Sequence, residues 1–247
     1  MSSIPTFSPP SMLLPDETYH QAAGTRPLCA LLLVLALSTM GWSTATHATV
    51  PCGPVKAAKN ATFYDYSDKS RRNTWHLRDV YDNHFRHILS ELKKPRPYVP
   101  NVFTQIKYIL SRIPNHYPTL EAYGRLYAEF PAIRQLIRKD SDLNRYRPMT
   151  PECVFDRAFR FHPEDPKLRL LYGLFFYRSK KLERALQQFK IAAKMSPDWA
   201  EVFYNIGLVY FRQKNYSAAR VNAKKAYTLG YPLAGLRNRL KKAGAWP

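Results

Sequence analysis

The chain has 247 residues, 45% of them hydrophobic, with 38 Lys and Arg against 18 Asp and Glu for a formal net charge of +20. That apolar share excludes a chain disordered throughout, and 3 Cys exclude a disulfide-dense miniature scaffold. With only 9 Gly there is no glycine-rich phosphate loop, and neither a Gly-x-Ser-x-Gly elbow nor a His-Glu-x-x-His pair occurs, so no catalytic step is assigned.

In chain order, the first predicted element is a targeting segment. Residues 28–37 read LCALLLVLAL, preceded by Arg26 and followed by a small, polar run that ends at Ala48. A charge, a short apolar stretch and an alanine before the cut describe a secretory signal peptide over residues 1–48. The run is short of the roughly 20 residues that span a bilayer. The alternative is an uncleaved anchor over residues 28–42. Cleavage after Ala48 leaves 37 bases against 16 acids, and Cys52 and Cys153 as the remaining cysteines. In an oxidising compartment such an even pair forms a disulfide; the alternative is two unpaired thiols, with Cys153 buried on a helix.

Residues 49–67 form an N-terminal extension without periodicity. Residues 68–99 hold a helical capping segment, with Leu77, Val80, Tyr81, Phe85, Ile88 and Leu92 in phase. On it His84, His87 and Glu91 share one helical face at metal-compatible spacing. Nothing else in the chain joins them, so a solvated or half-buried face is the reading, with no metal and no cofactor.

Residues 100–232 repeat. Gly173 and Gly207 are 34 residues apart, as are Ala185 and Ala219, Ala192 and Ala226, Phe155 and Phe189, Ala158 and Ala192, and Pro163 and Pro197. Upstream, Gly124 to Gly173 and Pro114 to Pro163 are each 49 apart, which a single 15-residue insertion within 129–150 explains. The predicted helices before it are Pro100–Arg112 and Pro118–Glu129, and the one after it is Pro151–Phe161. Residues 233–247 close the array with a C-terminal capping helix.

A fixed period of this length, carried by small residues where helices approach and aromatics between units, resembles the tetratricopeptide (TPR) repeat. The resemblance implies an all-α solenoid of helical hairpins, about three to four units, with N- and C-terminal capping helices. The flanks, Cys52-Gly53, Phe63-Tyr-Asp-Tyr66, Cys153 and Gly230-Tyr-Pro-Leu-Ala-Gly-Leu-Arg237, are similar to exported proteobacterial TPR proteins of unassigned function. That likeness implies an envelope setting, such as the periplasm, and a paired Cys52 and Cys153.

In this architecture the first helix of each hairpin lines the concave face. The register places Glu121 and Arg125 there, then Lys167, Leu170, Leu174, Tyr177 and Arg178, then Glu201, Tyr204, Asn205, Leu208, Phe211 and Arg212. From these, Arg125, Lys167, Tyr177, Arg178, Tyr204, Asn205, Phe211 and Arg212 are the candidate groove residues for a protein or peptide segment of acidic or aromatic character. The alternative is that the leucines pack on neighbouring helices and the arginines are solvated. The dicarboxylate clamp of chaperone-binding TPR proteins is poorly matched: Asn205 sits at one of its positions, but Leu170 and Leu174 stand where its Lys and Asn of the preceding unit belong.

Two functions from different classes follow. One is an exported, non-enzymatic adaptor that binds a protein segment in its groove and assists an envelope assembly. The other is an envelope protein whose basic runs, such as Lys69–Arg72 and Arg237–Lys242, bind a polyanion such as lipid headgroups or polysaccharide. Export makes nucleic acid a poor partner for either, and no small-molecule substrate is expected.

Overall fold

The first helix, α1, shows how this chain builds its elements. It begins as Trp75–Asp79, continues as a π-helical stretch Val80–Phe85 and returns to α geometry over Arg86–Leu92. Eight further helices follow among the described residues: α2 (Val99–Arg112), α3 (Tyr117–Glu129), α4 (Pro151–Phe161), α5 (Pro166–Arg178), α6 (Leu182–Met195), α7 (Ala200–Arg212), α8 (Tyr216–Thr228) and α9 (Gly235–Lys242). The structure is a computed structural model, and it describes residues 52, 64–68, 75–94, 99–129 and 150–247. The signal-peptide segment and nearly all of the predicted insertion lie outside those residues. No strand occurs among them, and the protein is all-α.

Prolines and short polar caps set the starts of these helices. Asp165 caps α5 by accepting the Lys167 amide at 2.8 Å, and Pro166 follows at the first helical position. Thr150 accepts the Cys153 amide at 3.3 Å before Pro151 opens α4, and Asn215 accepts the Ala218 amide at 3.1 Å before α8. Each cap satisfies an amide that has no partner within its helix, and proline there sacrifices no hydrogen bond.

The hairpin turns repeat as well. Lys180 and Lys214 end α5 and α7 in the left-handed region, at φ of 60° and 59°. After α5, the Lys180 amide donates to the Tyr177 carbonyl and the Lys181 amide to the Phe176 carbonyl, which closes the helix in a Schellman motif. The same pair of bonds recurs from Lys214 to Phe211 and from Asn215 to Tyr210.

Residues His47–Pro247 form one unit. Within it, α1/α2, α3/α4, α5/α6 and α7/α8 pack as antiparallel hairpins, α3 lies along α5, α6 lies along α7, and α9 covers α7 and α8. The segment expected to complete or cap the N-terminal end packs on α2. The core between hairpins is aromatic and aliphatic. Phe155, Phe189, Leu168, Leu170, Val202, Val209 and Leu236 are all fully buried. Gly173 lets α5 and α6 approach: a Cβ there would sit 2.4 Å from the Phe189 ring.

Candidate functional site

The first helices α3, α5 and α7 carry the residues that the repeat register turns inward, and the structure divides them into two groups. Arg125, Lys167, Phe211 and Arg212 keep accessible side chains. Tyr177, Tyr204 and Asn205 are buried, at 1%, 9% and 6% exposure, and the Arg178 side chain is 6% exposed. Those four correct the sequence-based expectation. They stand inside the solenoid, because helices this closely packed bury a wider stripe than a count of inward positions allows. Leu170, Leu174 and Leu208 are buried too, so they pack between helices as the alternative reading had it.

The inner residues join one unit to the next. Arg178 on α5 reaches back to α3, with Nη2 3.4 Å from Glu121 and Nε 3.6 Å from Glu129. Glu129 is shared, since Arg125 Nε also donates to it at 2.8 Å. Lys167 on α5 reaches forward to Glu201 on α7 at 3.6 Å and lies over the Trp199 ring. Arg212 on α7 lays its guanidinium on the Tyr177 ring, 4.0 Å from the centroid, and Nη1 donates to the Tyr177 carbonyl at 3.3 Å. Asn205 donates to the Glu201 carbonyl, and Tyr204 stacks on Tyr231 at 4.2 Å. Burial pushes the Tyr204 and Tyr231 hydroxyls up in pKa, so both remain neutral phenols. Arg125, Lys167 and Arg178 are therefore paired with carboxylates, while Arg212 rests on an aromatic ring with its charge intact.

A second constellation was legible in the sequence only at its anchor. Cys52 and Cys153 are joined by a disulfide, which fastens the N-terminal extension to the start of α4. Beyond it, residues 64–68 form a strap along the turns between hairpins. The Tyr64 amide donates to the Arg112 carbonyl at 2.9 Å, and the Tyr66 amide to Asn115 Oδ1 at 3.0 Å. The Tyr66 ring stands edge-on to His116 and Tyr117. Asn115 Nδ2 donates to Asp65 at 2.7 Å, and Ser67 donates to the same carboxylate. His162 Nε2 lies 3.3 Å from Ser67 Oγ and 3.6 Å from Asp65 Oδ2.

Ser67, His162 and Asp65 are the residue types of a catalytic triad, but the geometry is that of a latch. Serine and aspartate face the same ring nitrogen, so the imidazole cannot take a proton from one side while being oriented from the other. Nor does the histidine face on α1 assemble a site. His84 hydrogen-bonds Gln105 at 2.6 Å and stacks on Tyr108, while Glu91 pairs with Lys94. Among the described residues no three His, Cys, Asp or Glu side chains converge on a metal position.

His116, under the strap, makes the array acid-sensitive. It is fully buried, and burial pushes its pKa down to about 3. Its Nδ1 lies 2.7 Å from the Thr119 hydroxyl and 3.3 Å from the Thr119 amide, and burial keeps the ring neutral. Because the folded pKa lies below the unfolded value of 6.5, the unfolded chain takes up a proton first as pH falls. Stability is full above about pH 6.5 and declines toward about pH 3, with a limiting slope of about 1.4 kcal/mol per pH unit. Asp65 acts lower down. Burial raises its pKa, but hydrogen bonds from Ser67 and Asn115 and the charge of His162 outweigh it, so its contribution is present above 3.8 and lost below. Denaturant titrations between pH 7 and pH 4 check the first effect: the slope should be shallower by one proton in His116→Phe than in the parent.

Comparison with known proteins agrees with the repeat geometry. Residues 173–214, which span α5 from its mid-point through α6 and α7, match the family model described as TPR repeat. The match to that repeat covers residues 173–214 of the 247. Among solved structures the chain is similar to a thermophilic TPR protein from Thermus thermophilus, with 18% sequence identity, a TM-score of 0.49, and coverage of 70% of this chain and 84% of that one. No curated protein sequence matches it.

Proposed function

We propose that this protein is an exported, non-enzymatic scaffold that holds a segment of a partner protein against the inner face of α3, α5 and α7 and so assists an envelope assembly. TPR arrays are protein-interaction scaffolds, which is the level at which the family speaks. The observation that carries the rest is Arg212. Its guanidinium is exposed, yet it is fixed flat on Tyr177 and tied to that residue's carbonyl, with Phe211 adjacent. An arginine held in place before binding loses little side-chain entropy when it engages a carboxylate or carbonyl, and arginine is enriched among interface anchors. Lys167 and Arg125 offer further contacts, but a ligand must compete with Glu201 and Glu129 for them. That favours a segment carrying both charges over a purely acidic one. It also disfavours polyanion binding on this face, since Arg125, Lys167 and Arg178 are already paired with carboxylates.

Export is supported by the apolar run at residues 28–37 and by the paired Cys52 and Cys153, because such bonds persist in oxidising compartments. A crosslinking pull-down from the native envelope tests the scaffold. Arg212→Ala should lose the captured partner, a drop in affinity of about tenfold or more, with helicity and melting unchanged. If Arg212→Ala and Lys167→Ala capture the same partner as the parent, the groove reading fails. Mass spectrometry of the mature chain tests export: an N-terminus near Thr49 is expected, and intact residues 1–48 in a cytosolic fraction would refute it.

A further inference from the structure

After Glu201 the chain contains no acidic side chain. Residues 202–247 carry nine Lys and Arg and neither Asp nor Glu. The structure gathers most of that charge at one end of the array, where α9 packs on α8. The outward row of α8 is Ser217, Val221, Lys224, Lys225 and Thr228, all exposed and at helical spacing. On α9 the exposed positions include Arg237, Lys241 and Lys242. One aromatic seam joins the two rows. The Tyr227 hydroxyl accepts the Arg237 amide at 3.0 Å, the Arg237 guanidinium lies over the Tyr227 ring at 5.2 Å, and Trp246 stands edge-on to it at 5.9 Å. Among the described residues, no carboxylate lies within ion-pair distance of Lys224, Lys225, Lys241 or Lys242. Lys225 rests on the Phe203 ring, its Nζ 3.7 Å from the centroid, whereas Arg125, Lys167 and Arg178 of the inner face pair with carboxylates.

We infer that this end face docks on an anionic lipid surface. Charge alone would serve any polyanion, but two details favour a bilayer. Val221 is 63% exposed in the middle of the α8 cationic row, and Leu229 is 36% exposed just beyond its end. A headgroup layer accepts such side chains into the apolar region beneath it, whereas a phosphate backbone offers them nothing. The aromatics at the seam, Tyr227 and Trp246, are of the kind that settles at headgroup level. They engage each other edge-on, with Arg237 over the Tyr227 ring, so they do not form an open platform for stacked bases. Basic side chains near an anionic surface each strengthen binding about fivefold, and the attraction fades within a Debye length. The inference is independent of the groove, which lies on other residues.

Vesicle flotation of the full chain tests it, using phosphatidylcholine vesicles with and without about 30 mol% phosphatidylglycerol; the difference between the two is the quantity read. The parent should bind the anionic vesicles and lose that excess near about 0.5 M salt. Charge reversal at Lys224, Lys225, Lys241 and Lys242 should weaken it about a hundredfold or more, and Val221→Asp should weaken it further at constant folding. The control is Lys190→Glu with Lys194→Glu on α6, which changes charge elsewhere. If that pair costs as much per charge as the end-face variants, net charge and not this surface is responsible, and the inference falls. It also falls if a single-stranded oligonucleotide binds as tightly as the vesicles, with the same charge dependence and no effect of Val221→Asp, which would make the face a nucleic-acid surface.

Discussion

Breaking the Cys52–Cys153 bond should remove about 4–5 kcal/mol of stability, a large share of what a domain of this size possesses. The two residues are 101 apart in sequence, so the bond closes a long loop that the reduced, unfolded chain is free to open. The free energy resides largely in that unfolded ensemble. In the folded state the bond secures the extension ahead of the strap, whose contacts include the Tyr64 and Tyr66 amides, the Asp65 carboxylate, Ser67 against His162 and the Tyr66 ring against His116 and Tyr117. Without the tether these must hold residues 64–68 alone against the conformational entropy of the extension. Denaturant unfolding with and without reductant should show the midpoint falling, and Cys153→Ser should reproduce the shift without reductant. Two free thiols in the unreduced, denatured protein would show that the bond does not form.

The repeat was legible because packing leaves a periodic record. Gly173/Gly207 and Ala185/Ala219 are small where helices touch, and such positions tolerate few alternatives, so their spacing survives in the residues themselves. The helix expected near Pro151–Phe161 was placed by the repeat offset, and a proline start with a Thr150 cap marks its first turn. The binding face was less legible for a physical reason. Inward register is a direction, whereas availability is what remains after neighbouring helices have covered it. Tyr177 and Tyr204, inward by register, are covered by Arg212 and Tyr231. Arg178 is inward too, yet its length lets it cross to Glu121 and Glu129 and vanish beneath them. The strap was invisible because Tyr64 to Ser67 has no period; its contacts to the helical array join positions 48 to 97 residues apart. The acid-free stretch after Glu201 lay in plain view, but without the fold it could not be placed on one surface.

Gly173 and Phe189 should behave as a single unit, with the largest side-chain effect in the array. Phe189 is fully buried between α5 and α6, and truncation to alanine should cost about 3–5 kcal/mol through lost contacts and the cavity left behind. Gly173→Ala in the parent forces a methyl to within 2.4 Å of the Phe189 ring, and the ring is confined on all sides. It should destabilise by about 1–3 kcal/mol despite alanine's advantage of about 1 kcal/mol in a helix. In the Phe189→Ala background the obstacle is gone. There Gly173→Ala should be neutral or stabilising, since the methyl enters the vacated space and the helix gains propensity. The signs therefore reverse, and the coupling between the two sites should exceed about 1 kcal/mol. Four denaturation curves decide it. Additive costs would mean that α5 and α6 separate to admit the methyl, and that the close approach seen at Gly173 is not what holds the hairpin together.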